Sequence, residues 1–340
     1  YAHYNIPEEA FVIKLIKLNT NEILHKWQVQ FDSLKKVYDA WSEKYKGTNF
    51  DEYSQSNLER LAKRRPKVPT LFNDKNLLIN IQGMLVCLDE NSNIKWSHPK
   101  FFHHSLEFDH KGNLWVSSFS DSSKMGPYLS DQVVKMDPET GKILYKKNIE
   151  QIFNANPHHD LSHFNLKLQD RFHLNDVQPV VNSSEYWKKG DLFLSFKEIN
   201  AVLLYRPSSE KILWHKLTGW SHQHDVEILS DSVITVFDNN LVQLKPEAKV
   251  GRKNNRLVAY NFRKGRAKSL FGQLFEKQNV RTPFQGRGKF FKNDSLFYAE
   301  ATNQSFFIIK NLQSGKVFKC YIPGRAENKA ANLGWFRLLD

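Results

Sequence analysis

Three short stretches of the chain carry an imidazole or a carboxamide at the same point of a repeating pattern. They are His104-Ser-Leu-Glu-Phe, Asn175-Asp-Val-Gln-Pro and His224-Asp-Val-Glu-Ile. Each is followed by a strand-like run: Leu114-Trp-Val-Ser-Ser, Asp191-Leu-Phe-Leu-Ser and Val233-Ile-Thr-Val-Phe. In a repeat fold that closes on itself, equivalent positions face one axis, so groups far apart in sequence line one pocket. His103, His104, His173, His222, His224 and Asn175 would make that pocket rich in imidazole. His173 and Asn175 are two residues apart, as are His222 and His224; on a strand this spacing points both side chains to one face.

Three roles fit these residue types. A neutral imidazole near pH 7 can attack sulfur or phosphorus while a second His or an Asn polarises the transferred oxygens. Imidazole is also the commonest transition-metal ligand, although the chain has no HExxH or CxxC spacing and Asp225 and Glu227 show no distinctive arrangement. Finally, His and Asn can simply tie strand ends together around a channel. Their coincidence in three repeat units favours chemistry for the group. Lys197, just after the run Leu192-Phe-Leu-Ser-Phe196, and Arg256, at the head of Arg256-Leu-Val-Ala-Tyr, are cations suited to holding an anionic group. Trp220 lies close to His224 and could form an aryl-binding wall. The chain has no G-x-S-x-G elbow, P-loop or Rossmann fingerprint, which weighs against a serine hydrolase, an NTPase or a nicotinamide enzyme.

The elements that position these residues are strands. A hairpin-like unit, two short apolar runs around a turn of Asp, Asn, Ser and Gly, recurs six times: at 18–27, 88–96, 136–145, 205–214, 260–269 and 309–318. Two further strand-like runs precede most of them, such as Phe193-Leu-Ser-Phe and Ala201-Val-Leu-Leu-Tyr before the fourth. Four strands in each of six units predict an all-β fold, a six-bladed β-propeller forming one domain over 1–340. Gly334-Trp-Phe-Arg-Leu-Leu339 is expected to pair with the first blade and close the ring. Residues 31–67 break the pattern: Leu34, Val37, Tyr38 and Trp41, then Leu58 and Leu61, have helical spacing and predict a helical insertion into the first blade.

Composition narrows the partners. The 340 residues carry a formal net charge of +13, which attracts anions over a long range. The basic clusters, Lys63-Arg-Arg, Arg252-Lys253 and Arg263-Lys-Gly-Arg-Ala-Lys268, are short and scattered and lack interleaved aromatics, so no nucleic-acid partner is expected. No apolar run reaches the length of about 20 residues that spans a bilayer. No signal peptide is read at Tyr1-Ala-His-Tyr, so any leader is absent or already removed. Cys87 and Cys320 either pair or stay free. Asn182, Asn293 and Asn303 head glycosylation triplets, a pattern common by chance.

Several stretches together resemble the arylsulfotransferase family, the bacterial aryl-sulfate sulfotransferases and their relatives. They are 21–27, 102–115, 170–177, 223–229, 236–240 and 255–260, which include Gln223-His-Asp-Val and Asp170-Arg-Phe-His-Leu-Asn. The resemblance runs through nearly the whole chain apart from the helical insertion. It implies a six-bladed propeller that moves a sulfuryl group from an aryl sulfate to a phenol without nucleotide-activated sulfate (PAPS), by a ping-pong route through a sulfohistidine. It makes His224 the nucleophile. His104 would contact the sulfuryl oxygens, with His103 and His222 beside it in substrate binding. His173 would act as acid or base toward the phenol oxygen, with Asn175 in the same motif. Lys197 lies where the active enzymes have an arginine; lysine keeps the charge but loses the planar fork. The resemblance implies no cofactor and no metal, and a periplasmic or secreted location. The separate N-terminal β domain of the periplasmic enzymes is not expected here. Other readings of the same residues are a metal-dependent propeller lyase or hydrolase acting on an anionic polysaccharide, a phosphate-ester transferase, and a non-catalytic binding propeller for an anionic glycan or a protein.

Overall fold

Turn chemistry sets the hairpins. Asp89 accepts hydrogen bonds from the backbone N–H groups of Asn91 and Asn93, and Asp109 does the same for Lys111 and Asn113. These Asx turns reverse the chain locally. Apolar runs on either side then pair as antiparallel strands, because each has a face to bury.

The computed structural model describes residues 2–5, 10–44, 67–73, 75–81, 83–98, 102–120, 130–161, 163, 170–242, 251–291 and 295–321. Five four-stranded antiparallel sheets follow one another along the chain. Blade one comprises Lys67–Phe72, Asn76–Ile81, Met84–Leu88 and Ile94–His98. Blade two comprises Phe102–Phe108, Leu114–Phe119, Asp131–Met136 and Ile143–Asn148. Blade three comprises Leu174–Pro179, Leu192–Phe196, Ala201–Arg206 and Lys211–Lys216. Blade four comprises His224–Ser230, Val233–Asp238, Arg256–Asn261 and Arg266–Leu270. Blade five comprises Gly288–Phe291, Leu296–Ala301, Phe306–Asn311 and Val317–Tyr321. The first strands of consecutive blades lie side by side, which makes them the inner strands around the axis. All six hairpins read from the sequence are present; in the five blades each forms the two outer strands.

The arrangement is a β-propeller, and its count differs from the six equal blades expected. Ahead of blade one lies a three-stranded sheet, Ala2–Asn5, Ala10–Ile16 and Ile23–Gln30. It contains the first hairpin and packs on blade one, where Phe11, Ile13, Trp27 and Val29 share a core with Leu77, Ile79 and Val86. The proposed ring-closing strand 334–339 lies outside the described residues. The helix Phe31–Lys44 follows directly from that sheet. It packs on the core that the sheet shares with blade one. Leu34 is buried and Val37 packs beside it on the same core; Leu58 and Leu61 lie outside the described residues.

Four more apolar clusters fill the spaces between consecutive blades. The inner strands are also joined by a repeated staple. Val177 N–H donates to Ser105 Oγ at 3.3 Å, Val226 N–H to Asp176 Oδ2 at 2.6 Å and Gly288 N–H to Asp225 Oδ2 at 3.0 Å. Ser105, Asp176 and Asp225 are the second residues of the three near-repeats, so each near-repeat reaches the next blade's inner strand. That fixes the angular register of the residue just before it: His104, Asn175 or His224. Cys87 and Cys320 are both free thiols, Cys87 buried in blade one and Cys320 in the last strand of blade five.

Candidate active site

The inner strands begin with irregular backbone. His104, His173, His222 and Asp225 have φ of 63°, 55°, 53° and 55°. The ladder slips between His103 and Leu106, between Leu174 and Asp176, and between His224 and Val226. Left-handed backbone at a non-glycine residue is sparsely populated and costs about 1–3 kcal/mol where it is strained; bulges commonly re-aim side chains beside functional sites. Here they turn the imidazoles of three blades toward one another at one end of the axis.

The rings form a compact group. His104 and His224 have centroids 5.8 Å apart, and His104 and His173 4.7 Å apart. His104 Nε2 and His173 Nε2 are 3.2 Å apart. Asn175 is fully buried; its Nδ2 donates to Gln223 O at 2.6 Å, leaving a second N–H uncommitted and Oδ1 without a partner. Gln223 is itself held by Ser195 Oγ, Phe196 O and Ala201 O.

The protonation of His224 follows from its neighbours. The two N–H bonds of Asn239 are spent on Thr282 O and Gln285 O, both at 2.8 Å. Its Oδ1 therefore faces His224 Nδ1, 2.7 Å away, and His222 O lies 3.1 Å from the same nitrogen. Two acceptors require a proton on Nδ1, which leaves the lone pair on Nε2. Burial pushes the His224 pKa down to about 3, opposed by the Asn239 bond and helped by the nearby charges of His173 and Lys197. At pH 7 the ring is neutral. Burial also holds His104 well below the ordinary range, helped by His173, His103, His224 and Lys67, and lowers His103 to about 4.

His173 is bonded through Nδ1 to the carboxylate of Asp170, which also accepts the His173 backbone N–H at 3.1 Å. Burial raises Asp170, but the His173 bond and the surrounding charges outweigh it and keep Asp170 below the usual carboxylate range. Lys197 is paired with Glu198 at the same end of the axis. Its charge reaches His224, His222 and Asp170, depressing all three.

The remaining expected site residues lie further out. His103 does not front the pocket: Nδ1 meets His104 Nδ1 at 2.8 Å and Ser117 Oγ at 3.1 Å, and Nε2 looks toward Asp131. His222 sits at the rim with its N–H on Asn200 Oδ1. It precedes the strand in left-handed backbone, so the same-face rule for residues two apart does not hold there. Trp220 is buried in the core between blades three and four, and its indole N–H donates to Asn200 O at 2.9 Å. That makes it part of the scaffold and not an aryl wall. Arg256 is committed to Asp238, its cross-strand partner. Sequence reasoning missed Asp131, Asp170, Asn239 and Lys67. Two signals were available: Asp170 stands three residues before His173, and Asn239 lies inside Val236-Phe-Asp-Asn-Asn240. Among the described residues, no group of three or more His, Cys, Asp or Glu is arranged to hold a metal ion.

A buried charged cluster joins the inner strands next to the imidazoles. Buried Arg287 donates from Nε to Asp225 Oδ1 at 2.6 Å and from Nη2 to Glu107 Oε1 at 3.0 Å, with Glu227 Oε1 at 3.7 Å. One guanidinium thus ties blades two and four to the start of blade five. Although burial opposes its charge, the surrounding acids hold Arg287 well above its usual pKa.

Comparison with solved structures bears on the fold alone. The chain is similar to a protein of unknown function from Bacteroides caccae, with 10% identity, a TM-score of 0.54, and coverage of 92% of this chain and 90% of that one. It is also similar to the Neurospora crassa Pan2 WD40 domain, with 10% identity, a TM-score of 0.46, and coverage of 95% and 79%. A third likeness is to virginiamycin B lyase from Staphylococcus aureus, with 11% identity, a TM-score of 0.40, and coverage of 76% and 71%. Among curated protein sequences none matches significantly. The Arylsulfotransferase (ASST) family model matches residues 88–315, which run from the end of blade one into blade five and include the whole imidazole group. The chain belongs to the arylsulfotransferase family.

Proposed function

We propose that this protein is a PAPS-independent sulfotransferase that moves a sulfuryl group from a phenolic sulfate ester to a phenol through a sulfohistidine on His224. The observation that carries the reading is the buried, neutral His224 with its proton pinned on Nδ1 by Asn239. Nε2 then presents a lone pair beside the imidazoles of His104 and His173 and within the field of Lys197.

In the first half-reaction Nε2 attacks sulfur in line with the aryl oxygen; the N–S bond forms as the S–O bond breaks. Donors around the three sulfuryl oxygens stabilise the developing charge, and Lys197 and the second N–H of Asn175 supply them beside the His104 ring. His173 gives a proton to the departing phenolate. In the second half-reaction an acceptor phenol returns that proton to His173 and attacks the sulfohistidine. Splitting the transfer lets one pocket serve donor and acceptor in turn. The substrates are small aryl sulfates and phenols. By the same family reading the protein works in the periplasm or outside the cell.

The test is phenol-dependent release of 4-nitrophenol from 4-nitrophenyl sulfate by wild type and His224→Ala. Acceptor-dependent release that vanishes in the variant supports the reading. Absence of release with several phenols, from folded protein, overturns it.

A further inference from the structure

The pocket imidazoles are not isolated. They belong to a chain of five titratable groups that starts on a buried carboxyl of blade two. Asp131 lies on the third strand of blade two, fully buried, with Oδ2 accepting the Leu174 N–H of blade three at 3.0 Å. Its Oδ1 is 3.5 Å from His103 Nε2. Both of those atoms are buried and have no hydrogen-bond partner. His103 Nδ1 meets His104 Nδ1 at 2.8 Å, His104 Nε2 meets His173 Nε2 at 3.2 Å, and His173 Nδ1 is bonded to Asp170. Every link joins two nitrogens or a nitrogen and a carboxyl oxygen, so each contact needs one proton and one lone pair. The 3.5 Å link is long, as such contacts often are before a substrate is bound.

Two of the arrangements that fill every link matter for the chemistry, and both contain the same number of protons. In one, Asp131 is protonated and donates to His103 Nε2. His103 Nδ1–H then donates to His104 Nδ1, His104 Nε2–H to His173 Nε2, and His173 Nδ1–H to the Asp170 carboxylate. All three imidazoles are neutral. In the other, each of the three links from Asp131 to His173 is reversed. Asp131 is then a carboxylate, and His173 carries protons on both nitrogens, with Nε2–H toward His104. Moving one proton along each of those three links interconverts the arrangements without exchange with solvent. The net effect carries one positive charge from Asp131 to His173. Ser117 follows the shift: its hydroxyl donates to His103 O at 2.7 Å and lies 3.1 Å from His103 Nδ1, so it can accept from that nitrogen or rotate to donate to it.

We propose that Asp131 and His103 are positioning residues of a proton relay that arms His173 as the general acid when an anionic ester enters the pocket. The inference rests on the function proposed above. Without ligand, burial and the nearby Asp170 favour the protonated Asp131. A bound sulfate ester brings negative charge to the other end and favours the arrangement with its positive charge there. The His173 Nε2 proton then passes to the aryl oxygen as the S–O bond breaks and its electron pair leaves with the phenolate. His173 is left neutral beside two carboxylates, ready to take the acceptor's phenolic proton. That proton restores the original count, so no other acid or base is consumed.

Asp131→Asn separates this role from a structural one. Its amide keeps an acceptor for Leu174 N–H and donates to His103 Nε2, which locks the relay with His173 neutral. Phenyl sulfate, whose phenolate needs a proton, is expected to lose about 100-fold in kcat, within the usual range for general acid catalysis. 4-Nitrophenyl sulfate, with a leaving group that needs little help, is expected to stay within about threefold. His103→Asn, which breaks the second link with Asp131 intact, is expected to show the same dependence on leaving group. Equal losses on both esters overturn the relay. A second readout needs no turnover: imidazole 15N shifts at pH 7 with and without added inorganic sulfate. In wild type the His104 tautomer should change together with His173 protonation, and in Asp131→Asn His104 should stay Nε2–H throughout. Identical tautomers in both proteins overturn the relay even if the enzyme is active. Coupled tautomers in a wild type that turns over no aryl sulfate would sink the proposed function and leave the relay standing.

Discussion

Replacing Asn239 by leucine tests whether a carboxamide that never touches substrate sets the nucleophile. The substitution keeps size and removes the acceptor 2.7 Å from His224 Nδ1. His222 O, at 3.1 Å, remains as a second and longer acceptor. A buried hydrogen bond contributes about 0.5–1.5 kcal/mol, and stranding a buried polar group costs about 1–3 kcal/mol. Because His222 O still accepts from Nδ1, the stranding cost is only partly incurred, and a loss of about 1.5–3 kcal/mol of bias toward the tautomer with its lone pair on Nε2 converts to about a ten- to 150-fold fall in kcat. Stability should fall by about 1–3 kcal/mol as well, because Gln285 O loses its Asn239 donor while Thr282 O keeps Asn255 Nδ2 at 2.8 Å. The assay is acceptor-dependent transfer from 4-nitrophenyl sulfate under saturating ester, with urea denaturation on the same samples to set a temperature at which the variant is folded. The loss should sit in kcat with KM little changed, since no substrate contact is removed. A folded variant with kcat within about twofold of wild type, or a loss confined to KM, refutes the tautomer argument.

Three other perturbations follow from the same geometry. His224 and His103 are held neutral in the folded protein, with pKa values lowered to about 3 and about 4; an unfolded chain binds those protons near pH 6.5, so stability falls as pH drops from about 6.5 toward 4, by about 1.4 kcal/mol per pH unit for each ring. Urea denaturation across that window should show this slope reduced in His224→Gln, and an unchanged slope counts against a buried neutral ring. Arg287→Met leaves Asp225, Glu107 and Glu227 without their shared cation and should destabilise by about 3–5 kcal/mol, whereas a cost under about 1 kcal/mol would mean the cluster protonates and relaxes cheaply. Lys197→Arg restores a planar fork beside the pocket and should lower KM for the aryl sulfate about three- to tenfold; an unchanged or raised KM would show that Lys197, held by Glu198, does not contact the ester.

What the sequence made legible is what local rules decide. The hairpins announced themselves because each is a self-contained turn: Asp89 and Asp109 bond residues two and four positions on, so nothing distant is needed to form them. The near-repeats were legible for a related reason. Ser105, Asp176 and Asp225 staple each inner strand to the next, so a recurring spacing reflects a recurring angular position, and His104, Asn175 and His224 follow from it. The failures lie where one blade's backbone geometry or another blade's side chain decides. His173 and His222 precede their strands in left-handed backbone, where a two-residue period carries no directional meaning. Trp220 stands four residues from His224, yet the chain between them turns and buries the indole between blades. Asp131 lies beside His103, which precedes it, and holds the Leu174 N–H next to His173, which follows it, and Asn239 reaches His224 from the end of the neighbouring strand. Neither belongs to a periodic motif with its partner. Here His104, Asn175 and His224 come from inner strands and repeat, while the groups that set their protonation come from whichever neighbour packs behind them. The first kind can be counted along a chain; the second exists only after the blades have been set side by side.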